Sequence, residues 1–269
     1  MAFARANGIV LHHEDRGRKD RPAIVYSNSL GSDFRIWNEV VDLLGDGWRH
    51  IRYDKRGHGL SEATPAPYRL DDHIDDLAAL LDHLDVRKAA IVGVSVGGMI
   101  AQGLASKRPD LVSALVLCDT AHKIGTDELW NDRIRTTTEK GIASMADAIM
   151  QRWFPPSYRT HDNPAVVGYE AMLTRTTVDG YAGTSAALRD ADLTEQTKAL
   201  KLPTLCLVGD QDGATPPDLV RSLADLIDGA EYHVIENAGH LPCIDQPGEV
   251  AGLIGRFLSA NHPAQDSTA

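Results

Sequence analysis

Five consecutive residues, Gly93-Val94-Ser95-Val96-Gly97, carry the first chemistry that can be read from the chain. A serine between glycines at this spacing suits a sharp turn that lifts its hydroxyl clear of its neighbours, where it can attack a carbonyl carbon. The pattern alone is weak, because glycine and serine are common residues. Its surroundings strengthen it. Ala90-Ile91-Val92 is an apolar, strand-like run ending at the motif, and Gly97-Gly98-Met99-Ile100-Ala101-Gln102 opens a helix after it. This order places Ser95 above the carboxyl end of a strand, with a helix N-terminus beneath it to stabilise negative charge.

A serine hydroxyl needs a base, and the base needs a third group to fix its tautomer. The chain has eleven histidines, so position must choose among them. His240 follows the strand-like Tyr232-His233-Val234-Ile235 in the loop Asn237-Ala238-Gly239-His240, at the sheet edge where Ser95 should emerge. His233 lies within that strand and His262 in the polar end of the chain. Two acids, Asp210 and Asp212, follow the strand Pro203–Gly209. Asp212 lies further into the loop, with room to turn toward His240, whereas Asp210 suits closing the turn through the backbone. Asp212 is the preferred acid. The oxyanion of a tetrahedral intermediate needs two backbone N–H donors. Val96, directly after the serine, supplies one, and Leu30 in Asn28-Ser29-Leu30-Gly31 is the expected second, although that stretch would also suit an ordinary turn.

Two other clusters look chemical and are read as structural. Arg52-Tyr53-Asp54-Lys55-Arg56-Gly57-His58-Gly59-Leu60-Ser61 lies upstream of the serine turn, and its glycines suit a long loop of scaffold. Asp71-Asp72-His73 suits the capped start of a helix and has no companion ligands for a metal site.

These groups must be held by an α/β architecture. Strands are expected at Gly8–His13, Ala23–Asn28, His50–Asp54, Ala89–Val94, Ala114–Asp119, Pro203–Gly209 and Glu231–Glu236. Several are continuous apolar runs, as parallel strands covered on both faces require. Helical spacing joins Ile74, Leu77, Leu80, Leu81 and Leu84, and again Val250, Ile254, Phe257 and Leu258. Alternating strands and helices imply a mostly parallel central sheet with helices on both faces. From His122 to Leu188 the alternation stops, and helix-like stretches at Leu129–Lys140, Ser144–Arg152 and Ala165–Thr176 imply an inserted helical cap. The expected domains are therefore a core over 1–121 and 189–260, a cap over 122–188, and a disordered tail over 261–269.

Composition narrows the function classes. The formal net charge is −11, which argues against nucleic acid or an anionic membrane as a partner. No apolar run approaches the roughly 18 residues of a membrane span. Cys118, Cys206 and Cys243 are scattered and odd in number, and no secretory leader is apparent, so a cytoplasmic location is expected. Cys118 and Cys206 fall in apolar runs and are read as core.

With these residues placed, the chain resembles the bacterial 3-oxoadipate enol-lactonases, members of the α/β-hydrolase fold. The resemblance rests on SNSLGSDFRIW (27–37), RYDKRGHGLSE (52–62), GVSVGGM (93–99), GDQDGATPP (209–217) and NAGH (237–240). More specific are the cap stretches LCDTAHKIGTDELWNDR (117–133), DAIMQRWFPPSY (147–158) and DGYAGTSAALRDADL (179–193). Val96 departs from the Met often found there, which touches pocket shape because the backbone amide is the functional atom. The resemblance implies a triad of Ser95, Asp212 and His240, with Leu30 and Val96 amides as the oxyanion hole. It also implies a small anionic lactone as substrate and no cofactor or metal.

The cap carries seven basic and eight acidic residues, so it is the part of the molecule least repulsive to a carboxylate. Arg133 is the expected carboxylate partner, with Trp130 and Trp153 shaping a small flat pocket. The plainer alternative makes Arg133 a solvated helix residue and the tryptophans cap core. The same triad would also serve an esterase, a carbon–carbon hydrolase or a perhydrolase, and a non-catalytic ligand-binding protein can keep such a fold.

Overall fold

The computed structural model describes residues 1–261. Eight strands form one sheet in the order β1-β2-β4-β3-β5-β6-β7-β8. They are β1 (Ala2–Ala6), β2 (Ile9–Arg16), β3 (Ala23–Ser27), β4 (Arg49–Tyr53), β5 (Ala89–Val94), β6 (Val112–Cys118), β7 (Thr204–Gly209) and β8 (Glu231–Ile235). From β4 to β8 every neighbouring pair is parallel, while β1–β2 and β2–β4 are antiparallel. All residues of β5 and β7 are buried. That explains their largely apolar sequences: both sheet faces are covered there, and the polar Thr204 at the start of β7 bonds back to the Leu202 carbonyl.

Helices α1 (Asn38–Leu44), α2 (Leu70–His83) and α3 (Val96–Lys107) lie in the first half of the chain. Between β6 and β7 run α4 (Asp127–Lys140), α5 (Ala146–Trp153), α6 (Pro164–Thr174), α7 (Val178–Asp190) and the short α8 (Thr194–Lys198). The second half closes with α9 (Pro217–Leu226), α10 (Pro242–Asp245) and α11 (Pro247–Asn261). Helix α1 packs on α11, and α11 on β6; α2 packs on α3, and α3 and α9 pack on the sheet. The periodic leucines of α2 face this core, with Leu77, Leu80 and Leu81 fully buried.

β1 has no counterpart in the sequence reading, and the reason is physical. Its inward positions are Ala4 and Ala6, too small to produce a hydrophobic alternation. The turn that creates it is nevertheless visible in the sequence. Asn7 and Gly8 both have positive φ, 47° and 80°, and Ala6 pairs with Ile9 across them, which makes a two-residue hairpin. The tail expected over 261–269 lies outside the described residues from His262 onward, and Asn261 ends α11.

Candidate active site

Ser95 sits between β5 and α3 with φ 59° and ψ −123°, a conformation a non-glycine residue adopts only when its surroundings impose it. The surroundings do so. The Ser95 N–H donates to the Cys118 carbonyl at 3.0 Å, while the Ser95 carbonyl accepts from Thr120 Oγ1 at 2.6 Å and from the Gly98 N–H at 2.9 Å. The flanking glycines are sterically required. A Cβ on Gly93 would lie 2.3 Å from the Gly97 carbonyl oxygen, and one on Gly97 2.2 Å from that of Ser27.

The loops after β7 and β8 bring the other two residues together. His240 Nδ1 lies 3.0 and 3.1 Å from the two carboxylate oxygens of Asp212, and both side chains are buried. Asp212 also accepts from Thr215 Oγ1 at 2.5 Å and from the Ala214 and Thr215 amides at 2.7 and 3.0 Å. Burial pushes the Asp212 carboxyl upward, but the His240 charge and these hydrogen bonds outweigh it and hold the group below its ordinary range. Asp212 therefore stays ionised and fixes Nδ1 of His240 as the donor, leaving Nε2 for a reacting group. Asp210 does something else. Its Oδ1 accepts from the Ala238 N–H at 3.1 Å and ties the loop after β7 to the loop after β8.

A cavity of about 160 Å³ joins these groups, with Ser95, His240, Leu30 and Thr215 on the core side and Trp130 and Trp153 on the cap side. The N–H groups of Leu30 and Val96 donate to no protein acceptor among the described residues, so both are free for a ligand oxygen. Arg133 also lines the cavity, 5.1 Å from the centre of the Trp130 ring it overlies, and Trp130 is anchored by a 2.6 Å bond from Nε1 to the Ile124 carbonyl.

Sequence reasoning passed over three further residues. Arg152 lines the same cavity as Arg133, and neither pairs with a carboxylate among the described residues. Burial, with the neighbouring Arg133 charge, pushes the Arg152 guanidinium below its ordinary range. The available signal was Arg152 directly before Trp153 at the end of a cap helix. Thr215 bridges to the Asp212 carboxylate and has no local signature. Asp119, after β6, accepts from the Gly209 N–H at 2.9 Å, and its other carboxylate oxygen has no partner. Burial pushes its carboxyl well up, and Asp212 beside it adds to the shift. Asp119, Asp212 and His240 offer three ligand-type atoms within 4.8 Å, but Nδ1 of His240 is already engaged by Asp212.

The two upstream clusters lie in the scaffold. Asp54 accepts from His12 Nδ1 at 2.7 Å and from the Phe34 and Leu60 amides at 2.9 Å, tying its own loop to β2 and to the segment around Phe34. Arg56 pairs with buried Asp76 at 2.6 Å. Asp72 accepts from the Arg69 N–H at 2.7 Å at the start of α2, and His73 is hydrogen-bonded to Thr184. Cys118, Cys206 and Cys243 are buried and unpaired.

The profile of a family described as alpha/beta hydrolase fold matches residues 22–247. The chain belongs to the α/β-hydrolase fold family. Within this family it is 34% identical to 3-oxoadipate enol-lactonase 2 of Acinetobacter baylyi, over 90% of each chain. An enol-lactonase structure from Burkholderia xenovorans superposes with a TM-score of 0.93 at 33% identity, covering 96% of this chain and all of that one. A 2-hydroxymuconate semialdehyde hydrolase from a Pseudomonas strain is 29% identical over 94% of this chain and 92% of its own length. Relatives of similar coverage thus carry different substrates in their names, and these enol-lactonase relatives support a hydrolase role for the chain. Among the described residues no helix is long and apolar enough to cross a membrane.

Proposed function

We propose that this α/β-hydrolase is a serine hydrolase that opens 3-oxoadipate enol-lactone to 3-oxoadipate, a step of the β-ketoadipate pathway of aromatic catabolism, in the cytoplasm. The observation that carries the reading is the composition of one cavity. Ser95 on its strained turn and the Asp212-held His240 line one side, and two arginines without acidic partners among the described residues line the other. Ser95 Oγ attacks the lactone carbonyl while His240 Nε2 takes its proton, and Asp212 stabilises the imidazolium that forms. The Leu30 and Val96 amides hold the oxyanion. Collapse breaks the ring C–O bond, His240 returns its proton to the departing oxygen, and the enol so formed, still tethered to the acyl chain, becomes the ketone of the product. Water, deprotonated by His240, then cleaves the acyl-enzyme and frees Ser95.

A small cavity suits a compact five-membered lactone, and Arg133 with Arg152 supplies the positive charge that the chain as a whole lacks. No metal or organic cofactor takes part in this scheme. Neither nucleic acid nor a membrane surface is a partner. The test is turnover of freshly generated 3-oxoadipate enol-lactone beside neutral aryl esters, with fluorophosphonate labelling of Ser95. Labelling with ester turnover alone would leave a serine esterase. The absence of both would favour a ligand-binding role.

A further inference from the structure

Lys55 is buried to 1% exposure inside the loop after β4, in a position with no evident need for a charge. Its ammonium donates to the Ser29 carbonyl at 2.6 Å. That carbonyl also accepts from Ser32 Oγ at 2.9 Å and from the Ser32 N–H at 3.3 Å. In a trans peptide the carbonyl and the following N–H point in opposite directions. Anchoring the Ser29 oxygen in the protein interior therefore turns the Leu30 N–H the other way. Ser29 and Leu30 both line the Ser95 cavity, and the Leu30 N–H has no protein acceptor among the described residues.

We propose that Lys55 is a positioning residue for the reaction at Ser95: its hydrogen bond fixes the Ser29–Leu30 peptide so that the Leu30 N–H donates to the oxyanion. This rests on the serine-hydrolase reading above. Removing an ammonium from water is costly, and Met would fill the same space without that cost. Burial pushes Lys55 down to about 7, against the pull of Asp54 and Asp33. A buried amine that donates to the outer edge of a peptide whose inner edge faces the cavity acts through that peptide. A fixed donor of this kind acts on the transition state, where the oxygen carries charge, more than on the bound ester.

The test compares Lys55→Met, Ser32→Ala and Ser61→Ala with the wild type on an aryl ester. Ser61→Ala removes two buried bonds, one donated to the Asp54 carbonyl and one accepted from the His12 N–H, without touching Ser29, and is the control. For Lys55→Met, kcat is expected to fall about tenfold or more with KM within threefold and Tm no lower than wild type. Affinity for a small alkylboronic acid, which forms a tetrahedral serine adduct, should fall by a similar factor. Ser32→Ala should lower kcat less, in the same direction, and decides the matter if Lys55→Met does not fold. An unchanged kcat in Lys55→Met, or in Ser32→Ala if that variant must decide, overturns the proposal. So does a fall in kcat accompanied by the loss of Tm that Ser61→Ala shows. If the wild type neither turns over the ester nor labels at Ser95, the serine-hydrolase reading fails instead.

Discussion

The sheet core and the two lightly buried helices α4 and α6, inserted between β6 and β7, obey different physical rules. In the core, β5 and β7 have no exposed residue, and Ser95, Asp212 and His240 stand on turns at the carboxyl ends of β5, β7 and β8. In the insertion, α4 buries only Trp130 and Thr137 of its 14 residues, and α6 only Met172 and Leu173 of 11. A close-packed sheet fixes reactive atoms to the tolerance that proton transfer demands. A lightly buried helix can change its facing side chains with little loss of stability, so it is the cheaper place to set selectivity. The comparison teaches that substitutions in the core should abolish turnover of every substrate, whereas substitutions in the cap should alter which substrate is preferred.

The largest expected effect tests the core. Ser95→Ala should lower kcat by about 10⁴- to 10⁶-fold on ester and lactone alike, measured at steady state with Tm unchanged. A loss confined to one substrate would break the contrast at once. Next comes Asp212→Asn, for which about a 10³- to 10⁴-fold loss of kcat is expected because the amide no longer holds His240 in the reactive tautomer. Asp210→Asn, which touches only the Ala238 amide, should stay near wild type.

The cap is tested by Arg133→Ala and Arg152→Ala. Each should raise KM for the anionic lactone about tenfold or more while changing neutral aryl ester kinetics by less than threefold. Arg133→Ala with both lactone constants unchanged would remove that residue from the site. Equal losses on neutral and anionic substrates would mean that the arginines shape the cavity rather than select charge.

The smallest effect sharpens the core side. Burial raises Asp245 to about 7, and its Oδ2 accepts from the Gly239 N–H beside His240. A carboxyl raised in the folded state contributes stability that is complete below its unfolded pKa, near 4, and is lost as pH rises through about 7. The difference in Tm between Asp245→Asn and wild type should therefore widen in favour of the variant from pH 4 to 7 and then level off. A constant difference across that range would show that Asp245 carries no such shift.

The serine turn was legible because all of its signals are contiguous: a buried strand, glycines wherever a Cβ would strike backbone, and a helix start within about a dozen residues. Chain order and strand ends then located His240 and narrowed the acid to two aspartates two residues apart. Choosing between them depends on which carboxylate turns toward β8's loop and which toward the Ala238 amide, and local sequence does not encode that direction. The hairpin at Asn7-Gly8 was legible in principle, but its alanines gave β1 no hydrophobic signal.

The sequence by itself determined the alternation of elements, the strained turn at Ser95 and the helical insertion, because each depends on neighbours a few residues apart. Tertiary structure decided the rest. Arg133 and Arg152 share a cavity only because α4 and α5 fold over the sheet, and Asp119 reaches Asp212 only because β6 and β7 are adjacent. Lys55 meets the Ser29 carbonyl across 26 residues of chain. Such contacts follow from packing the whole sheet, and no local pattern of residues records them.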